Sequence, residues 1–311
     1  MTDLVVRCIV LSLAWFAAVN AIASPASAVA AWAAVRLKVS APRVLLAIRL
    51  FPAIASLVFA GAMFLPAQWA FEPRDADETF GVVWFALAAV GAALLTRSVV
   101  HVVSIDTVCR RLGRHGRPFA TRPIEVYEVD DVPGVSLAGV LRPRILIGPR
   151  IVAELSAPEL DVAIAHEVAH LDAFDNFSRW CMLCAPDFLT GSAIAGRLEE
   201  HWRELTECRA DSRAVGGDTA RAVDLASALI KVARLSANWS GKLPAPSWST
   251  LHDSALLELR VRRLVNGLPP AEPLPSRFGA IALFAAGLIV AVPLLAETIH
   301  RVTEALVAAL P

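Results

Sequence analysis

The chain has 311 residues and no net formal charge at neutral pH, but 56% of its residues are hydrophobic and only 19% are charged. Together with a mean hydropathy of +0.57, this points away from an ordinary soluble enzyme and asks for a bilayer first. The basic residues cluster beside apolar stretches and form no separate groove, so nucleic acid is not an expected partner.

In chain order, Cys8 to Val35 and Leu50 to Phe71 carry no charge. Phe80 to Thr96 is continued past Arg97 by the apolar run Val99 to Ile105, and Phe278 to Ala296 is again uncharged. A bilayer core needs about 20 such residues, which predicts spans over 8–35, 50–71 and 80–105 and a last one within 277–311. The expected fold class is an α+β membrane protein: about four transmembrane helices and, over 106–276, a mainly helical domain with a small β-sheet. Arg36, Lys38 and Arg43 follow the first span, Glu72 to Thr79 is mostly acidic, and Arg110, Arg111, Arg114, Arg117 and Arg122 follow the third. The positive-inside rule therefore expects the N-terminus outside and 106–276 in the cytoplasm. A cleaved signal peptide ending near Ala28 is the competing reading, and it would place the 36–43 loop outside against that rule. The polar groups seen within the spans are few, Asn20 and some Ser, Thr and Pro, which argues against a transporter.

From 123 to 147 the sequence predicts strands: Ile124 to Val129 alternates apolar and polar, and Arg144 to Ile147 follows a turn-rich stretch with Gly134 and Gly139. Ser156 and Glu159 have the form of a capping box, predicting a helix over 157–172. On it, His166 and His170 stand one turn apart with Glu167 beside them. This is the H-E-x-x-H arrangement: two imidazoles reach one zinc ion, while the carboxylate stays beside the ion as a base for the water that attacks a polarised carbonyl. The alternative is a chance match with two satisfied core histidines.

Cys181-Met-Leu-Cys184 has CxxC form but no second pair, and core packing is the expectation for it. Residues 181–198, apolar but containing Pro186 and Asp187, read as a helix or shallow re-entrant piece against the membrane face of the site. A second helix follows over 198–211, with Leu198, Trp202 and Leu205 on one face and Glu200, Glu204, Glu207 and Asp211 on the other. A bound cation would relieve the repulsion among these carboxylates, while a solvated acidic face trimmed by Arg197 and Arg203 is the alternative. The Pro-rich stretch 267–275 reads as a linker into the last span.

Glu207-Cys-Arg-Ala-Asp-Ser-Arg-Ala214 resembles the E-x-x-A-D-x-x-A element of membrane-embedded glutamate-zincins, such as the heat-shock membrane peptidases and the CaaX prenyl-protein endopeptidases. Residues 140–176 resemble the peptidase unit of the bacterial β-lactam-sensing receptors, a likeness that extends over about 100–267. It implies one Zn2+ per chain held by His166, His170 and Glu207, Glu167 as general base, and Asp211 orienting His166. Asp175 and Asn176 match a pair in the family pattern. Arg260 resembles an arginine that approaches the site, and His252, Arg260 and Asn176 are candidates for contact with substrate or an oxyanion. A surface position on an amphipathic helix is the alternative for His252 and Arg260. The strand near 142–147 is an expected docking edge for a substrate strand, or else a covered structural strand.

The resemblance further implies an integral metalloendopeptidase of the bacterial inner membrane. Its substrate would be a protein or peptide in regulatory proteolysis, either a transcriptional repressor or the chain itself. Membrane lipid and a second copy of the chain complete the expected partners. Residues 297–311 leave no room for the sensor domain that follows the last span in those receptors, so β-lactam sensing is not expected. A non-catalytic zinc-binding receptor or scaffold is the alternative function.

Overall fold

The computed structural model describes residues 2–71, 81–112, 116–120, 124–130, 132, 134–140, 142–237, 249–250, 256–267 and 278–310. The chain is a mostly helical α+β membrane protein. Among the described residues, four helical stretches are long and apolar enough to cross a membrane: Leu4–Arg36, Pro42–Phe71, Val82–Ser104 and Phe284–Ala309. The first lies in α1 (Thr2–Arg36). The second is α2 (Pro42–Leu57), continued through a π-helical segment (Val58–Phe64) into α3 (Leu65–Phe71). The third lies in α4 (Val82–Leu112). α1 and α4 pack closely at Gly91, where an added Cβ would stand 2.3 Å from the Leu13 carbonyl oxygen, so only glycine admits this approach.

These helices are longer than the uncharged runs that predict them. Arg7 does not interrupt α1, and the second span includes Arg49, which is almost fully buried. The last helix continues past Ala296 to Ala309, with Glu297 and Arg301 paired on its exposed side at 3.4 Å. Charges that find a partner or face outward do not end a helix, so the absence of charge underestimates its length.

Beyond the third span lies a sheet of β1 (Arg117–Ala120), β2 (Val126–Glu128), β3 (Val135–Ala138), β4 (Arg144–Ile147) and the two-residue β5 (Ser249–Thr250). Their order is β1-β2-β4-β3-β5, with β2 and β4 parallel and the other pairs antiparallel. The strand expected to offer a docking edge, β4, is therefore flanked on both sides. The strand expected over 124–129 is shortened to β2.

The helices of this domain are α5 (Pro149–Glu154), α6 (Ala157–Ala173), α7 (Asp175–Cys184), α8 (Ala193–Val215), α9 (Thr219–Ala237) and α10 (Leu257–Asn266), before the final α11 (Phe278–Ala309). The sheet packs on α6 and α9 through Val135, Leu137, Ile145, Ile147, Val162, Leu225 and Leu229. A second apolar seam joins Ala31, Ala34 and Leu45 of the spans to Met182, Leu198 and Trp202 of α7 and α8. The stretch 181–198 is thus the end of α7, a connector and the start of α8, not a crossing. The Pro-rich stretch 268–277 lies outside the described residues.

The ends of α6 are fixed locally. The Ser156 side chain accepts from the Glu159 N–H, and Glu159 accepts from the Ser156 N–H at 2.7 Å. At the other end Phe174, left-handed at φ 59°, ends α6 and starts α7 at once. This sharp turn brings Asp175 and Asn176 back toward α6.

Glu159 also binds Lys231 at 2.8 Å and Ser227 at 2.5 Å. Burial pushes its carboxyl up, but Lys231 and the hydroxyl and backbone donors outweigh burial and hold it at about 2. A depressed carboxylate stabilises the fold above its ordinary value of 4.5, an effect lost as pH falls toward 2. Ser156→Ala is expected to cost about 1 kcal/mol, read as a lower thermal midpoint. The midpoint gap between wild type and Glu159→Gln should be widest above pH 4.5 and shrink on acidification.

Candidate metal centre

Helical spacing on α6 presents His166 and His170 side by side, and α8 brings Glu207 against them; all three are buried. The two Nε2 atoms are 3.1 Å apart. Glu207 Oε2 lies 3.4 Å from His166 Nε2, and Oε1 lies 3.6 Å from His170 Nε2. Tetrahedral ligands at about 2.0–2.1 Å from zinc stand about 3.3 Å from one another, and these separations bracket that value. His166, His170 and Glu207 form the one described group with metal-ligand geometry.

The other ring nitrogens explain why the Nε2 atoms converge. His166 Nδ1 lies 3.0 Å from Asp211 Oδ1, and His170 Nδ1 lies 2.8 Å from Asp175 Oδ2. A carboxylate at Nδ1 keeps the hydrogen there and leaves the Nε2 lone pair for a metal. Two lone pairs facing at 3.1 Å repel unless a cation sits at them. The donor set of two imidazoles and one carboxylate fits a divalent transition metal such as zinc.

Arg260, from α10, braces the carboxylates: Nε donates to Asp211 Oδ2 at 2.9 Å, Nη2 to Asp211 Oδ1 at 2.6 Å, and Nη1 lies 2.9 Å from Glu207 Oε2. Its guanidinium is thereby held charged. Burial pushes both acids up, but Arg260 and the neighbouring imidazoles together outweigh it, with Asp211 also helped by its hydrogen bond to Arg260, keeping Asp211 at about 2 and Glu207 well below its usual range. Burial pushes the His170 imidazole down, but Glu207 and Asp175 outweigh it and raise the metal-free ring to about 10. Burial and Arg260 pull the His166 imidazole down and its hydrogen bonds to Asp211 and Glu207 pull it up, and the net direction is upward. Arg179 on α7 acts electrostatically on Glu207 and Asp175. Four buried carboxylates, those of Glu167, Asp175, Glu207 and Asp211, share the centre with two guanidiniums and two imidazoles of raised basicity, and a divalent cation would take the place of the imidazole protons in balancing them.

Glu167 is fully buried beside the histidines, and its Oε2 accepts from the Leu137 N–H of β3 at 2.9 Å. Asn176 donates its amide to the carbonyls of Leu137 at 2.8 Å and Gly139 at 3.3 Å. It therefore ties α7 to β3, where the sequence suggested contact with substrate. Arg260 is likewise committed to Asp211 and Glu207, and lies in the buried centre, not on a surface face. His252 lies outside the described residues. Of the acidic row on α8, only Glu207 and Asp211 enter the centre. Glu200 is 64% exposed beside Arg203, and Glu204 is 38% exposed beside His201.

Three features escape the sequence reading. The first is β3 as the strand that meets Glu167, because Val-Ser-Leu-Ala is buried at every position and shows no alternation. The second is Arg179, whose only signal is its place one turn after Asp175 and Asn176. The third is the direct pairing of Asp175 with His170. Cys184 and Cys208 are buried free thiols and Cys181 a partly buried one; burial raises Cys181 and Cys184 to about 11.

No protein-family model matches the chain, and no curated protein matches it.

The intact protein in detergent is expected to bind one Co2+ or Zn2+ per chain, measured by titration calorimetry. Asp211→Asn should weaken binding by about 10–100-fold, and Glu204→Gln should leave it unchanged. A proton on His170 competes with metal below about pH 10, so apparent affinity should fall as pH is lowered, with proton release on binding.

Proposed function

We propose that this chain is an integral membrane zinc metalloendopeptidase that hydrolyses a peptide bond of a protein substrate. The observation that carries the proposal is the convergence of two imidazoles and Glu207 at zinc-ligand spacing with Glu167 buried alongside. The resemblance of 140–176 to the peptidase unit of the β-lactam-sensing receptors, and of 207–214 to the E-x-x-A-D-x-x-A element of membrane-embedded glutamate-zincins, supports it.

His166, His170 and Glu207 would hold a zinc ion, which would supply Lewis-acid chemistry to a peptide carbonyl and a water molecule. Glu167 takes the proton from the attacking water and passes it to the leaving amine. Asp211 and Asp175 hold the two imidazoles in one tautomer and orientation. Arg260 keeps Asp211 and Glu207 ionised and fixed, so that neither reorients during the reaction.

A peptide binds such a site as an added strand, with main-chain hydrogen bonds supplying affinity. β3, hydrogen-bonded to Glu167 and Asn176, is the strand nearest the centre, and β5 of the same chain lies antiparallel along it at Ser136 and Leu137. That pairing of the chain with itself supports self-cleavage, alongside cleavage of another protein such as a transcriptional repressor. The charge distribution supports a cytoplasmic centre in a bacterial inner membrane with the N-terminus outside.

The test compares newly formed protein N-termini in cells expressing wild type or Glu167→Gln, which keeps the three ligands. Termini present in wild type and lost in the variant, within this chain or another, are the expected result. Identical termini under several envelope stresses, with metal still bound, would favour a zinc-binding signalling scaffold.

A further inference from the structure

The connector between α7 and α8, residues 185–192, is gripped by three membrane helices. From α2, Arg49 donates Nη1 to Asp187 Oδ2 at 2.9 Å, Nε to Glu199 at 2.6 Å, and Nη2 to the Met182 carbonyl at 2.7 Å and Thr190 Oγ1 at 2.9 Å. From α1, Asn20 donates to the Pro186 carbonyl at 2.9 Å and accepts from the Phe188 N–H at 3.2 Å; Ser24 donates to the same Asn20 oxygen at 2.8 Å. From α4, Arg97 donates to the Asp187 carbonyl and Ser98 to that of Cys184. Asp187 Oδ1 accepts from Thr190 N–H and Oγ1, closing the connector on itself.

Asn20, Arg49 and Asp187 are all buried, and Asn20 lies halfway along the candidate span Leu4–Arg36. A buried ion pair is weak as a source of stability and is retained where it fixes one arrangement. Arg49 fixes the end of α7, the connector and the beginning of α8 together. The same two helices carry the centre: α7 holds His170 through Asp175 and β3 through Asn176, and α8 carries Glu207. From Arg49's contacts, Asp175 and Glu207 are seven and eight residues away along rigid helix, about 10–12 Å at 1.5 Å per residue.

We infer that Arg49, with Asn20 and Arg97, is a positioning residue for the metal centre, and that this socket couples the spacing of the membrane helices to the separation of His170 and Glu207. The inference rests on reading the His–His–Glu cluster as a metal site. Bilayer deformation, or a partner that moves α1, α2 or α4, then changes the centre without touching it.

The test reconstitutes the intact chain in nanodiscs of short-chain or long-chain phosphatidylcholine. It measures Co2+ affinity and backbone hydrogen exchange over 204–211. Wild type should show an affinity and an exchange rate that differ several-fold between the two bilayers. Arg49→Gln should lose that difference and bind Co2+ about tenfold more weakly, about 1.4 kcal/mol. Arg49→Lys, which keeps the charge without the fork, should restore folding but not the bilayer dependence. Asn20→Leu and Thr190→Val cut neutral contacts of the same socket and carry the test if Arg49→Gln fails to fold. Folded variants that keep both the wild-type affinity and its bilayer dependence would overturn the inference, as would a wild type indifferent to the bilayer. If wild type binds no Co2+, the metal reading falls, and exchange over 204–211 alone decides the coupling.

Discussion

Inside the domain two imidazole nitrogens face one another at 3.1 Å, each backed by a carboxylate that holds the ring hydrogen on the far side. That arrangement is repulsive until a proton or a metal ion occupies the space between them, and much of the surrounding structure serves to hold it. The capping box sets the start of α6, and the left-handed Phe174 turns the chain so that Asp175 returns to His170. α8 delivers Glu207 and Asp211 on one face, and Arg260 arrives from a helix about fifty residues later to keep both acids ionised. Each acid would be costly to bury alone, and together they are tolerable because the cluster is mutually paired.

The sheet and the membrane helices hold this cluster from two sides. β3 meets Glu167 through the Leu137 N–H and Asn176 through the Leu137 carbonyl, so the strand is fixed relative to both. The α7–α8 connector is fastened to α1, α2 and α4 by polar groups, of which Asn20, Arg49 and Asp187 are buried and would be costly to leave unpaired. The spans are thus part of the scaffold of the centre as well as its anchor.

The fold class was legible because apolar runs of bilayer length and a 3.6-residue pattern are strong, local signals. His166, Glu167 and His170 were legible because a ligand pair on one helix needs only sequence spacing. Glu207 could be separated from Glu200 and Glu204 only by resemblance, since all three share a helical face and burial alone distinguishes them. Strand β3 and the role of Asn176 were not legible: a strand covered at every position lacks alternation, and a backbone contact across 39 residues leaves no local trace. Arg49 was hidden by the rule that found the spans, which places a charged residue outside the apolar run even when its partners lie within the membrane helices.

The most direct measurement is the X-ray absorption spectrum of the zinc-loaded, intact protein. A ligand sphere of two imidazoles and further oxygen donors at about 2.0–2.1 Å, with no sulfur, is the predicted result, and Glu207→Ala should change it. A zinc–sulfur distance near about 2.3 Å, which Cys208 beside Glu207 would supply, or failure of the protein to retain zinc, would contradict the account.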